Sequence, residues 1–151
     1  MSRLIEIRVD GRRLRIRQAQ FGPVLVALQA SLGENTYAGV AYVAVGLLDI
    51  VAEALRRHPK GELALAADGI STRVAIAPPF AVDAEADIAG LCRLDRLVAL
   101  LSVSSATRAL EAAILFLQAI VRLLASHEKH ELVVVEDTAV AASISLPFRL
   151  P

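Results

Sequence analysis

The 151-residue chain has the size of one domain, and its sixteen basic and sixteen acidic residues cancel, which disfavours binding to nucleic acid or anionic lipid. Hydrophobic residues make up 56% of the chain and aromatics only 4%, so the core is expected to consist of aliphatic side chains. The single cysteine, Cys92, excludes an intramolecular disulfide.

The first third of the chain predicts a β-hairpin followed by two helices. Alternating residues at 4–9 and 13–17 flank the turn pair Asp10-Gly11 and indicate an N-terminal hairpin. Pro23 is a good first-turn residue, so a short helix is predicted from there to the stop at Gly33. Residues 37–58 are apolar nearly all round at first, which predicts a central buried helix.

The rest of the chain predicts two more hairpins with helices between them. Strands are expected at 62–67 and 71–77, joined by Asp68-Gly69, and Pro78-Pro79 ends the second of them. One or two helical segments are predicted within 81–99, and a clear amphipathic helix within 107–126. The last strands are predicted at 131–135 and 139–146.

This order of elements predicts a single α+β domain over residues 1–151. The expected architecture is a two-layer sandwich, in which helices cover one face of a mixed or antiparallel sheet. Residues 1–20 form the N-terminal hairpin part and residues 21–147 the main module. The chain has no low-complexity tract and no obvious repeat.

The cytoplasm is the expected compartment. Charged residues stand near the start of the chain, where a signal peptide would have its apolar run. Of the two longest apolar stretches, residues 40–55 are interrupted by Asp49 and Glu53. The other, residues 114–125, is only about twelve residues long, whereas roughly twenty are needed to span a bilayer. Both are therefore predicted to be interior helices of a protein that does not enter a membrane.

Three segments resemble the ATP-binding domain of the GHKL group, which includes histidine kinases and anti-sigma-factor kinases. Residues 53–61, Glu-Ala-Leu-Arg-Arg-His-Pro-Lys-Gly, are similar to the kinase stretch Asn-Ala-x-Lys-Tyr-Thr-Pro-x-Gly. Residues 119–122, Ala-Ile-Val-Arg, are similar to the Ala-Ile-Val-Lys that follows the second glycine box of the kinases. Residues 143–147 are similar to the closing strand of the kinase domain. The resemblance covers roughly residues 21–147 and implies a Bergerat-like fold.

The groups that hold ATP in that family are missing from the matching positions. Asp49 and Glu53 stand where the family has its Glu and its Mg²⁺-binding Asn. Pro78 begins the stretch in place of the Asp-x-Gly-x-Gly box, and proline has neither a carboxylate nor the conformational freedom of glycine. Leu115 and Leu117 replace glycines of the phosphate-binding box, where their side chains would fill the phosphate space. The resemblance implies a pseudo-ATPase with no cofactor and no catalytic residue.

Several other residues carry groups that could take part in chemistry. Asp49 and Glu53 share a helix face and suit acid–base chemistry or a divalent ion, although a polar stripe beside a cleft or partner is favoured. Cys92 is expected to be an inert core thiol. The three histidines are expected to be solvated caps near helix ends and not a metal pair or a phosphoacceptor; they are His58, His127 and His130. A cluster of hydroxyl residues is expected to form a loop and a helix N-cap; it consists of Ser102, Ser104, Ser105 and Thr107.

The N-terminal hairpin carries a concentration of positive charge. It comes from Arg12, Arg13, Arg15 and Arg17, of which alternate members share one face of a strand. This arrangement suits docking of an acidic partner, and the alternative is a charged strand that protects a sheet edge from aggregation.

These features favour a non-catalytic protein-binding module in a bacterial regulatory pathway, of the partner-switch or phosphorelay type, over an enzyme. The expected partner is another protein, such as a sigma factor, a response regulator or a kinase. Two alternatives stay open. One is an enzyme or sensor that binds a small molecule or metal in a remnant cleft, and the other is a structural homo-oligomer, such as a homodimer, whose surplus apolar surface is its self-interface.

Overall fold

The computed structural model describes residues 3–67 and 72–150, which form four helices and two antiparallel sheets. The α+β class and the packing of helices on a sheet are therefore confirmed. The elements in chain order are β1 (Leu4–Val9), β2 (Arg12–Arg17), α1 (Gln18–Leu32), α2 (Tyr37–Arg57), β3 (Glu62–Ala67), β4 (Thr72–Ala75), α3 (Arg93–Leu101), α4 (Ala106–Ser126), β5 (Glu131–Glu136) and β6 (Ala139–Ser143).

Within the described part of the chain, strands β1 and β2 pair only with each other and form a two-stranded sheet of their own. Asp10 and Gly11 both have positive φ, 51° and 77°, as a tight two-residue hairpin turn requires. The turn fixes the register, so that alternate side chains enter the core and the hairpin packs on α1, α2 and α4. These inward side chains are Ile7, Val9, Leu14 and Ile16.

Helix α1 begins at Gln18, five residues before the predicted start at Pro23, so that boundary was wrong. It follows β2 without a loop, and the Gln18 amide donates to the Arg3 carbonyl at 3.0 Å. Phe21 is almost fully buried, and its packing holds the first turn in place. Tertiary burial thus outweighs the start signal that Pro23 carries.

The segment before α3 contains much less helix than predicted. Only Arg93–Leu101 is helical, whereas residues 81–92 form a turn-rich connection. The side chains of Asp83 and Asp87 accept hydrogen bonds from the backbone two residues further on, at 3.0 and 3.3 Å. Such local bonds compete with helix formation, and Gly90 adds a left-handed residue with φ 74°.

The second sheet has the strand order β4-β3-β5-β6, with all three neighbouring pairs antiparallel. Strand β4 ends at Ala75 instead of the predicted Ala77, and β6 ends at Ser143 instead of Leu146, after an irregularity opposite Val134 and Val135. The predicted turn Asp68-Gly69 lies outside the described residues. One face of the central strands joins the helical core through Leu63, Leu65, Leu132 and Val134.

The described residues reveal an internal repeat that sequence inspection missed. Helices α2 and α4 both have 21 residues and begin 69 positions apart, and the spacing from each helix to the next strand is the same. Strands β3 and β5 also follow one another at 69 positions and have identical burial patterns. Residues 24–80, called repeat A, therefore correspond to residues 93–148, called repeat B. The offset is 69 as far as β3 and β5 and becomes 68 at the ends of β4 and β6, where Ala75 and Ser143 hold equivalent places.

The helix ends correspond as closely as the helix lengths. The caps before α2 and α4 are Thr36 and Ser105, and each hydroxyl accepts from the backbone N–H three residues on. The caps after them, His58 and His127, have nearly the same backbone angles, with φ −125° and −129° and ψ 72° and 71°. Sequence identity is scattered over single positions and adjacent pairs, for example Leu25 with Leu94, Leu48 with Leu117 and Glu62-Leu63 with Glu131-Leu132.

The repeats are related by an approximate two-fold axis through the centre of the four-stranded sheet. Ala64 pairs with its own counterpart Val133, and Glu62–Val135 and Ala66–Glu131 are equivalent pairs on either side. Helix α1 contacts both α2 and α4, and so does its counterpart α3. Repeat A and repeat B consequently share one core, which is continuous from the helices to the sheet.

Candidate functional site

The two carboxylates proposed for a remnant cleft are both held by arginines. Asp49 accepts from Arg96 through Nη2 at 2.8 Å and Nε at 3.3 Å. Glu53 accepts from Arg56 at 2.6 and 2.9 Å and from Arg57 at 3.0 Å. Its hydrogen bond with Arg56 lowers the pKa of Glu53 most, against a smaller opposing effect of burial. The pair therefore faces cationic side chains, which compete with a divalent cation.

The other residues of the expected cleft lie apart from these carboxylates. Asp49 and Glu53 line a shallow hollow together with Ile88 and Arg96, while Pro78 lines a different cavity. On α4, Leu117 is fully buried in the core, whereas Leu115 is 39% exposed. The fold thus brings Asp49 and Glu53 together and leaves Pro78, Leu115 and Leu117 in separate environments.

A cavity of about 510 Å³ lies where repeat A passes from α2 into β3. His58 lines it and is half-buried, with Nδ1 3.2 Å from the Glu136 carboxylate. Gly61 gives the chain room here, because a Cβ at this position would collide with the Val134 side chain. Most of the lining is apolar and includes Leu55, Leu63, Ile76, Pro78, Phe80 and Val82.

The corresponding corner of repeat B is built differently. His130 stands where repeat A has Gly61, and its ring packs edge-on against His127, with ring centroids 5.3 Å apart. His127 Nδ1 lies 2.9 Å from the Leu123 carbonyl, and His130 Nδ1 lies 3.1 Å from the Glu128 carbonyl. Among the described residues, no three His, Cys, Asp or Glu side chains gather as a metal site would require.

The outer face of the N-terminal hairpin is strongly basic. Arg13, Arg15 and Arg17 alternate with buried residues along β2 and are exposed, and Arg8 stands directly opposite Arg13. Glu6 is the one acidic residue on this face, 3.9 Å from Arg15. We call Arg8, Arg13, Arg15 and Arg17 the basic face.

Arg12 does not belong to the basic face, although the sequence grouped it with the other arginines. Its guanidinium donates to Asp95 at the start of α3, at 2.8 Å. Arg8 was missed instead. The register set by Asp10-Gly11 places it opposite Arg13, so the hairpin turn contained the signal that would have found it.

Cys92 is exposed at the N-terminus of α3, so its prediction as a core thiol was wrong. Its Sγ donates to Asp95 at 3.1 Å. This bond, followed by that from Arg12, lowers the pKa of Asp95. The error arose because the predicted helix around Cys92 begins only one residue later.

Part of the apolar surplus of the sequence lies in the interior. Helices α2 and α4 are long and apolar enough to span a membrane by length and composition alone, yet they pack in the core against each other. Large exposed apolar side chains are distributed over several elements, and Leu4 lies beside the basic face opposite Arg17. The others described are Val26, Tyr42, Ile50, Leu91, Leu115 and Val140.

Fold and surface together define an α+β protein made of two sequence-divergent repeats, with a basic hairpin on one side. Comparisons with protein-family models, curated proteins and solved structures find no match to this chain.

Proposed function

We propose that the chain is a non-catalytic protein-binding module that docks an acidic partner protein on the basic face of its N-terminal hairpin. The observation that carries the proposal is the local charge. Six of the sixteen basic residues lie in the first seventeen positions, against two acidic residues. Four of the six form the basic face, and only Glu6 lies among them.

A charged surface of this kind raises the association rate and the specificity of protein binding more than it raises the affinity. Exposed arginines speed encounter with an acidic surface and form bidentate bonds with carboxylates, while the neutral whole molecule does not attract polyanions over long distances. Leu4 adds an apolar contact to the same face. An acidic helix or loop with an apolar anchor matches this chemistry.

The resemblance to the GHKL group supplies the setting of the proposal. A relative without ATP binding would act by contact, in the cytoplasm of a bacterium, with a sigma factor, a response regulator or a kinase as partner. The arginines on Asp49 and Glu53 support the loss of Mg²⁺-nucleotide chemistry. Titration calorimetry with ATP and Mg²⁺ is expected to give no saturable heat up to millimolar nucleotide, and micromolar binding would contradict the pseudo-ATPase proposal.

Charge reversal tests the docking face directly. A fluorescent Glu-rich peptide with one Leu serves as the probe, and its binding is followed by anisotropy at two salt concentrations. Arg13→Glu with Arg15→Glu is expected to weaken binding roughly tenfold or more, and added salt is expected to weaken binding to the native chain. Arg122→Glu with Arg149→Glu changes the net charge equally at exposed positions elsewhere and is expected to change binding less than twofold.

Duplex DNA is the comparison ligand in that experiment. If the peptide and DNA respond alike to both pairs of substitutions, the face is a general anion surface and the protein-binding proposal fails. If both pairs weaken peptide binding equally, net charge and not the basic face determines binding.

The cavity beside His58 favours a second candidate function, the binding of a small and mostly apolar ligand. Its size, its apolar lining and its one imidazole are typical of small-molecule sites. Anilinonaphthalene sulfonate, an aromatic anion, serves as the probe and is expected to bind one saturable site. Ala77→Phe at the cavity should weaken that binding, while Ser145→Phe at the matching place in repeat B should not. Equal binding to both variants would contradict this candidate.

A further inference from the structure

We propose that the surface by which repeat A binds repeat B within one chain is a dimerisation surface. On this surface, repeat A also accepts repeat B of a second copy of the chain, and repeat B accepts repeat A of that copy. The chain is then a fused pseudo-dimer that can form a domain-swapped dimer. This inference concerns how the molecule assembles and is independent of the proposed partner-binding function.

The symmetry of the sheet is the first support. In a two-fold interface, residue i of one unit contacts j of the other, and j contacts i in return. The central strands follow this rule, because Leu63 pairs with Val134 and its counterpart Leu132 pairs with Leu65. Two further bonds correspond as well, from the Ile76 amide to the Leu63 carbonyl and from the Ile144 amide to the Leu132 carbonyl, both at 2.9 Å.

The chain segments that follow β4 and β6 are the second support, since each of them crosses to the long helix of the other repeat. Phe80 of repeat A packs edge-on against Phe116 of α4, with ring centroids 5.3 Å apart. Pro147 of repeat B lies beside Gly46 of α2, where a Cβ on the glycine would stand 4.0 Å from the proline ring. This reciprocal exchange of arms is a feature of intertwined dimers.

Neither repeat has a complete core without the other. The interface contains the buried helix pair α2–α4 and the central strand pair β3–β5. Separated, β3 and β5 would each present an unpaired edge, and the helices would expose fully buried residues such as Leu48 and Leu117. A free repeat therefore needs a partner of the opposite repeat, and a second copy of the chain supplies one.

The connection between the repeats has the length and composition of a hinge. Residues 81–92 contain no helix or strand, and Asp83, Glu85 and Asp87 in it are exposed. Two backbone bonds join it to repeat B, from the Asp83 amide to the Leu100 carbonyl at 2.7 Å and from the Arg96 amide to the Cys92 carbonyl at 2.8 Å. Its partly buried side chains Val82, Ala86 and Ile88 pack against the shared core. Extending this segment would let the two repeats of one chain pair with those of another.

Complementation between two full-length variants tests the proposal. One chain carries Val45→Asp and Leu48→Asp in repeat A, and the other carries Ile114→Asp and Leu117→Asp at the equivalent positions of repeat B. All four positions are 0% exposed, so each variant alone is expected to lose its helical circular dichroism. Refolded together, the intact repeat B of the first chain and the intact repeat A of the second should pair. Light scattering should show a heterodimer with about half the helical signal of the native chain.

The control is a mixture of two differently tagged copies of the same variant, the one that carries Val45→Asp and Leu48→Asp. Neither copy has an intact repeat A, so this mixture is expected to stay unfolded. The proposal is overturned if the complementary mixture recovers no helical heterodimer, or if the control recovers as much signal as the mixture.

Discussion

Thr36 and Ser105 show at the level of single residues how the two repeats use the same chemistry. Their hydroxyls accept from the Gly39 and Arg108 amides, at 2.9 and 3.2 Å. We expect Thr36→Ala and Ser105→Ala each to lower the free energy of unfolding by about 1 kcal/mol, and the double variant by the sum, because the caps belong to different helices. Urea denaturation measures these changes. Ser104→Ala, one residue before the second cap, should change stability by less than about 0.5 kcal/mol; a change as large as that of Ser105→Ala would refute the capping role.

Glu53 makes a pH-dependent contribution to the free energy of unfolding, and the sign of that contribution follows from its lowered pKa. Its hydrogen bond with Arg56 lowers its pKa from the ordinary 4.5, so its ionised form stabilises the fold above that value and the contribution is lost as pH falls through the lowered pKa. Glu53→Gln is expected to cost less than about 1 kcal/mol at neutral pH, because the pair is partly solvated. Denaturation at a series of pH values should show the difference between the two proteins disappearing in acid. A difference that grows in acid would reverse the sign.

At the level of elements, the basic hairpin is held to α3 by its turn. Asp10 accepts two bonds from Arg93, at 2.8 and 3.0 Å, and Arg93 also lies 4.7 Å from the centre of the Tyr42 ring. Asn tolerates the positive φ of Asp10, so Asp10→Asn removes the charge without backbone strain. In a double-mutant cycle with Arg93→Ala we expect a coupling of about 1 kcal/mol.

The exposed pair Glu6–Arg15, at 3.9 Å, is the control for that cycle and should show coupling near zero. Equal coupling in both pairs would mean that Asp10–Arg93 does not anchor the hairpin. A loss of this anchor should also speed hydrogen exchange in β1 and β2 relative to β3 and β5.

The elements also show what the sequence could and could not predict. Hydrophobic periodicity located α2 and α4 almost to the residue, and Asp10-Gly11 located the first hairpin. The start of α1 depends on the burial of Phe21, and the loss of helix at 81–92 depends on side chain to backbone bonds, which composition does not specify. The arginine partner of Asp49 illustrates the same limit, since Arg96 is distant in sequence and only the packing of α3 on α2 brings it to Asp49.

The repeat escaped detection for a physical reason that applies to the whole molecule. What the repeats share is caps, helix lengths, burial and strand register, and many different aliphatic residues satisfy these requirements. Val40 and Ala109, or Ala64 and Val133, are equivalent without being identical. Symmetry is thus retained in the backbone while the surfaces differ, with Gly61 and a cavity in one repeat and two histidines packed edge-on in the other.

Two repeats in one chain raise the question whether they unfold separately. The strand pair β3–β5 and the helix pair α2–α4 both cross between repeats, so unfolding of one would expose the core of the other. We therefore expect a single cooperative transition, with a calorimetric enthalpy equal to the van't Hoff enthalpy and coincident curves from far-ultraviolet circular dichroism and the two tyrosines. Leu48→Ala and Leu117→Ala, each expected to cost about 2 to 5 kcal/mol, should lower the same transition. Two resolved transitions, with each substitution moving only one of them, would show that the repeats are independent domains and not halves of a single core.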